Sequence, residues 1–168
     1  MHFQRTISIS LLAVAALAAP AFAGNAARPT VFTKAQAQVG KVAYESTCGL
    51  CHLSSLRGRT GGPEELPDPD TLPDNYQKTI NGSGGYVPAL VGEEFVAKWG
   101  SKTAGEFAVR ILEATKGFPP KGNDDATFLA VAAYILQANG ASPGKQALTT
   151  ATPVPVKVAA ASPQQKKT

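Results

Sequence analysis

The chain has 168 residues, 43% hydrophobic and 17% charged, which suits one small domain with appendages. Its formal charge of +4 resides at the ends, in Arg5 near the start and in Lys145, Lys157, Lys166 and Lys167, where no acidic residue intervenes. Without them the middle is close to neutral, which argues against a nucleic-acid partner.

Residues 1–23 read as a secretory signal. Arg5 supplies the positive region, Ile7 to Ala19 an apolar core, and Ala21-Phe22-Ala23 an A-x-A cleavage site. The apolar run is too short to span a bilayer comfortably, so the expectation is an exported, periplasmic protein with at most peripheral membrane contact. Residues 24–33 read as a polar linker.

From Lys34 the pattern is helical, with Thr33 as N-cap and no proline before Thr47. Val39, Gly40, Ala43 and Tyr44 share one side. Gly40 costs about 1 kcal/mol against alanine, a cost easiest to rationalise if another helix crosses there. The stretch Cys48-Gly49-Leu50-Cys51-His52 follows. On a helical turn, both thiols and the imidazole lie on one face. The thiols can then add across two haem vinyl groups while the histidine reaches the iron, so C-x-x-C-H reads first as covalent haem attachment. Three rivals remain. A closed zinc site needs a fourth ligand, and the other histidine, His2, lies in the signal. A thioredoxin-like pair usually follows a buried strand, and Lys41 to Thr47 shows no strand alternation. A plain disulfide leaves His52 unexplained.

Arg57 to Gly92 is dense in glycine and proline, with a short helical turn expected over Asp74 to Ile80. So long a loop is unusual in a compact domain, unless a haem acts as the core it wraps. Its Gly82-Ser83-Gly84-Gly85 cluster follows no strand and lacks the Gly-Lys-Ser/Thr ending of a phosphate loop. Gly92 to Trp99 predicts a short amphipathic helix, with Phe95 and Trp99 one turn apart. Thr103 and Glu106 form a capping box opening a helix to about Thr115, which Lys116-Gly117 and Phe118-Pro119-Pro120 end. The last helix opens on Asp124 and Asp125, is apolar nearly all round, and stops at Asn139-Gly140. Residues 141–168, rich in alanine, proline and lysine without an aromatic, read as a disordered tail.

From about Ala35 to Gly140 the chain resembles a class I c-type cytochrome. The resemblance rests on Gly40, Tyr44 and Cys48-x-x-Cys51-His52, on Ala133 to Gly140, and on Pro88-Ala-Leu-Val-Gly92 with Phe95 and Trp99. It is similar in particular to the cytochrome subunits and domains that serve bacterial quinoprotein dehydrogenases. It implies an all-α fold, a small helical bundle around one covalently bound haem c, spanning residues 34–140 and including the long Gly/Pro-rich loop. It further implies that Gly40 and Tyr44 meet the last helix near Ala133 or Tyr134. Pro88 and Leu90 would line the histidine side of the haem, and Trp99 would lie near a propionate.

One departure bears on function. Where the family usually carries the methionine that is the sixth iron ligand, this chain reads Phe118-Pro119, and its single methionine is Met1. His52 is then the one protein ligand the motif provides. The sixth position is left to water, to nothing, or to Lys116, Lys121, Tyr76 or Tyr86, and Phe118 fills or shapes the vacated place. The expected function is a monomeric, non-enzymatic, single-electron carrier. It would exchange electrons with redox partner proteins, such as a quinoprotein dehydrogenase or a membrane oxidase or reductase. The alternative is a haem protein with an open iron that binds a diatomic gas or peroxide.

Overall fold

The computed structural model describes residues 28–60, 69–116 and 124–159. The signal-like segment, Phe118, Lys121, Lys166 and Lys167 therefore lie outside the described residues.

Among the described residues, seven α-helices and four short strands follow in the order β1 (Thr30–Thr33), α1 (Lys34–Ser46), α2 (Gly49–His52), β2 (Arg59–Thr60), α3 (Asp74–Gly82), β3 (Tyr86–Val87), α4 (Glu93–Trp99), α5 (Ala104–Thr115), α6 (Asp125–Ala138), β4 (Ser142–Gly144) and α7 (Val156–Ala159). The molecule is mostly helical. The expectation of helices alone needs amending, because β1 pairs in parallel with β4 and β2 pairs antiparallel with β3.

Helix α1 begins where Thr33 accepts a hydrogen bond from the Gln36 amide at 3.1 Å, which satisfies one orphan donor of its first turn. It crosses α6, and Gly40 is the reason it can. A Cβ at Gly40 would sit 1.8 Å from the Ala130 carbonyl oxygen, so only glycine lets the two backbones approach this closely. The crossing is one turn earlier on α6 than the resemblance implied for Gly40. Tyr44, by contrast, meets Tyr134 with ring centroids 5.3 Å apart. Helix α6 contributes Val131, Ala132, Ala133, Ile135 and Leu136, all fully buried, because it is packed by α1 on one side and α5 on another.

The capping box at Thr103 forms as read: its hydroxyl accepts from the Glu106 amide, and the Glu106 carboxylate accepts from the Thr103 amide. Two further first-turn donors of α5, the amides of Ala104 and Gly105, point at the carbonyls of Val154 and Thr152, at 2.8 and 2.9 Å. These acceptors belong to the segment read as a disordered tail, and that reading is corrected for residues 141–159. The segment runs back across the bundle as a strap. Leu148 (1% exposed), Val156 and Ala159 (both 0%) are buried in the main core. The Gln36 side-chain amide clamps Leu148 through both backbone groups, accepting at 2.7 Å and donating at 3.0 Å. Gly105 is packed so tightly beneath the strap that a Cβ there would lie 2.4 Å from the Thr150 carbonyl oxygen. Composition failed here because a few apolar anchors, spaced between prolines and threonines, suffice when a preformed surface receives them. The linker reading changes likewise for residues 30–33: Val31 and Phe32 are buried, and β1 holds β4.

The Gly/Pro-rich stretch is less structureless than its composition suggested. Helix α3 runs two residues past the expected turn, and Leu72, Ile80 and Val87 form a small separate core against Leu50, Cys51 and Tyr76. Among the described residues no helix is long and apolar enough to cross a membrane.

Candidate functional site

Helix α1 stops at Thr47, whose backbone (φ −133°, ψ −87°) leaves the helical region, and the chain immediately restarts as the single turn of α2. Cys48 already has helical dihedrals, and its carbonyl accepts from the amides of Cys51 and His52 at 3.1 and 2.8 Å. The two thiols and the imidazole thus share one turn, the arrangement their spacing predicts.

After His52 the backbone is forced into an unusual course. Leu53 (φ 62°, ψ 161°) and Leu56 (φ 59°) both occupy the positive-φ region that side chains disfavour. What holds them is visible. The buried Tyr44 hydroxyl donates to the Leu53 carbonyl at 2.8 Å, and the Leu56 carbonyl accepts from the Leu90 amide at 2.8 Å. The segment 88–92 is itself anchored to α6, because the Asn139 side chain donates to the Leu90 carbonyl at 2.8 Å and accepts from the Gly92 amide at 3.2 Å. This places the Pro88 carbonyl 2.9 Å from His52 Nδ1. With Nδ1 donating to that carbonyl, Nε2 is the nitrogen left for a metal.

These residues border a cleft of about 430 Å³. The α2 side contributes Cys48, Cys51 and His52, with Val87 and Pro88 beside them. Helix α3 and its C-cap present Tyr76, Thr79, Ile80 and Ser83, at the i, i+3, i+4, i+7 spacing of one helical face. Helix α5 presents Arg110, Ala114 and Thr115, and α6 presents Phe128; Thr47 and Tyr86 complete the rim. The lining surface is predominantly apolar, with hydroxyls from Thr47, Tyr76, Thr79, Ser83, Tyr86 and Thr115 set into it.

Burial governs the protonation of the site. It pushes both thiols above the ordinary cysteine value, outweighing the Thr47 hydroxyl near Cys48 and the positive charge of Arg59 near Cys51. Burial also lowers His52, against the smaller opposing effect of its bond to Pro88, so the imidazole is held neutral and able to coordinate. The Tyr44 phenol is pushed far up, chiefly by burial and secondarily by Cys48. The thiols are free, and raised values are the opposite of the lowered ones that mark reactive thioredoxin-like cysteines. Among the described residues no three His, Cys, Asp or Glu side chains converge as a metal cage would require. A group carrying its own metal ligands, held by two thiols and one imidazole, is what the donor set suits.

The expected site residues separate into three groups. Cys48, Cys51, His52 and Pro88 come together at the cleft. Leu90 and Trp99 do not line it: Leu90 packs against the main core, and Trp99 stacks edge-on against Phe107 at 5.2 Å, with Phe107 in turn against Phe95. Phe118 lies outside the described residues. Sequence reasoning missed the α3 and α5 walls and the Asn139 anchor. The α3 wall was legible in principle from the spacing of Tyr76, Ile80 and Ser83, while the pairing of Asn139 with Leu90 across 49 positions left no local trace.

Comparison with protein-family models, with curated proteins and with solved structures finds no match for the chain.

Proposed function

We propose that the protein is a mono-haem c-type cytochrome, exported to the periplasm, that carries single electrons between a dehydrogenase or membrane complex and an acceptor. The observation that carries this reading is the convergence of Cys48, Cys51 and His52 from one helical turn onto an apolar cleft, with His52 Nδ1 tied to Pro88. In this reading the two thiols form thioethers to one haem, and His52 provides the protein ligand through Nε2. The bound haem supplies reversible one-electron chemistry. The chain's own contribution is to fix the imidazole through Pro88, Leu90 and Asn139, to keep the thiols neutral until they react, and to exclude water with Ile80, Val87 and Phe128. Electrons would pass through an exposed edge of the haem, and encounters with redox partners would be small and transient.

A second reading has one specific observation in its favour. No methionine follows Met1, and the cleft is lined by Tyr76 and Tyr86, with Lys116 one residue beyond its Thr115 edge. Loss of a thioether ligand lowers the potential and leaves room for a gas or peroxide. The test is an absorption spectrum of the exported protein, oxidised, reduced and with CO, together with its intact mass. One covalent haem per chain with a low-spin spectrum indifferent to CO is the result expected for an electron carrier. Prompt CO binding would move the function to ligand binding, and an intact mass without haem would overturn both.

A further inference from the structure

Two backbone groups from distant parts of the chain reach His52, and Gly58 is involved in both. The Gly58 amide donates to the His52 carbonyl at 3.1 Å, while the Pro88 carbonyl accepts from His52 Nδ1 at 2.9 Å. Strands β2 and β3 pair Arg59 with Val87 and Thr60 with Tyr86, so the same antiparallel register sets Gly58 opposite Pro88. Proline has no N–H to return across that pair. Gly58 and Pro88 instead turn their polar backbone groups to the histidine.

The approach is close. A Cβ at Gly58 would lie 2.1 Å from the Val87 carbonyl oxygen and 2.7 Å from both the carbon and the oxygen of the Pro88 carbonyl. Its φ of 68° falls in the region that glycine adopts without penalty. The atoms in the way are backbone. They are held by the Arg59–Val87 pair on one side and by the bonds of Leu90 to Leu56 and Asn139 on the other, so they cannot turn aside as a side-chain tip can. A side chain at position 58 must push either Pro88 or the turn before Gly58, and both movements stretch the contact between carbonyl and imidazole.

We infer that Gly58 is a positioning residue for the iron ligand: by admitting the Pro88 carbonyl this close, it fixes the Nδ1 hydrogen bond and so holds down the reduction potential of the bound haem. This rests on the haem reading above. An imidazole that donates through Nδ1 is the more electron-rich ligand through Nε2, and an electron-rich ligand favours ferric over ferrous iron. Loosening the bond raises the potential. Gly58 does not line the cleft, so its influence reaches the iron through Pro88 and His52.

The reduction potential of the haem-loaded exported protein is measured by optical redox titration in wild type and variants. Gly58→Ala is expected to shift the equilibrium roughly 3- to 10-fold towards ferrous iron, the worth of a weakened hydrogen bond, or about 30–60 mV upward at about 59 mV per tenfold for one electron. Gly58→Asn carries the same Cβ but suits positive φ better, so the same shift is expected in a more stable protein. Two control glycines separate this effect from general loosening. Gly84 has nearly the same φ, 67°, with no atom within 4 Å of where a Cβ would stand, so Gly84→Ala supplies the strain without the collision. Gly105→Ala supplies a collision under the strap, 2.4 Å from the Thr150 carbonyl oxygen. Both are expected to stay within about 1.5-fold of wild type, about 10 mV by the same conversion.

Unchanged potentials in both Gly58 variants would overturn the inference and leave the cytochrome reading intact. A control that shifts as far as Gly58→Ala would do the same. So would Gly58 variants that acquire no haem while the controls do, because the glycine would then serve attachment instead. A wild-type chain that carries no haem would overturn the cytochrome reading and this inference together.

Discussion

Leu148 is the residue at which the two accounts of the C-terminal segment diverge most. A leucine in a disordered tail can be replaced by alanine without consequence, whereas here it is 1% exposed and clamped by Gln36. Leu148→Ala removes about three buried carbons at ~0.8 kcal/mol each, about 2.4 kcal/mol. A cavity of about 60 Å³ that does not collapse adds about 1.4 kcal/mol at ~24 cal/mol per Å³. The expected loss is therefore about 2.5–4 kcal/mol, the upper end if the clamp keeps the strap from sinking inward. The assay is urea unfolding of the haem-loaded protein followed by far-ultraviolet circular dichroism, read as a fall in midpoint at constant slope. Lys145→Ala, on the exposed part of the same segment, is the control and is expected to stay within about 0.5 kcal/mol. A Leu148→Ala loss below about 0.5 kcal/mol would refute the packed strap.

Other outcomes follow from the same geometry. Gly40→Ala is expected to cost about 1–3 kcal/mol despite alanine's better helix propensity, because its Cβ would collide with the Ala130 carbonyl; a stabilised variant in the same unfolding assay would show that the helices cross elsewhere. Tyr44→Phe keeps the ring packing against Tyr134 but loses the bond to Leu53, an expected loss of about 1–3 kcal/mol for a carbonyl left unpaired. Melting curves of the two proteins that coincide would mean the strained loop does not depend on that hydroxyl. In protein made without haem, Cys48 and Cys51 should alkylate with iodoacetamide more slowly at pH 7 than free cysteine, since burial disfavours their thiolates. The linkage has a definite sign: a thiol whose folded value is raised contributes stability that is complete below the ordinary thiol value. That contribution is lost as pH rises above about 8.5, where the unfolded chain ionises first. Faster alkylation than free cysteine would point back to a redox-active pair.

How the site is held shows what a sequence can and cannot disclose. The one-turn grouping of Cys48, Cys51 and His52 was legible because helical geometry relates residues three and four apart without reference to anything else. The caps at Thr33 and Thr103 were legible for the same reason: each is an exchange between a side chain and an amide three residues on, whereas Asp124, read only as an acidic opening of the last helix, is its N-cap. Trp99 was placed from resemblance alone; in this fold its ring packs on Phe107, and the residues bordering the cleft come from α3 and α5 instead.

The sequence by itself determined the local periods: the long helices α1, α5 and α6 with their starts, and that two thiols and an imidazole share a face. Those properties depend on backbone geometry over four residues, and they survive in any surrounding. Only the tertiary structure decided which backbones touch and what the cleft contains. Gly40 reads as a helix defect until Ala130 is laid across it, and Leu148 reads as part of a disordered tail until Gln36 receives it. Arg110 reads as one more surface cation until α5 is seen to bring it to the rim of the cleft. Each depends on atoms brought together from distant parts of the chain, through close packing and paired backbone groups that composition does not record.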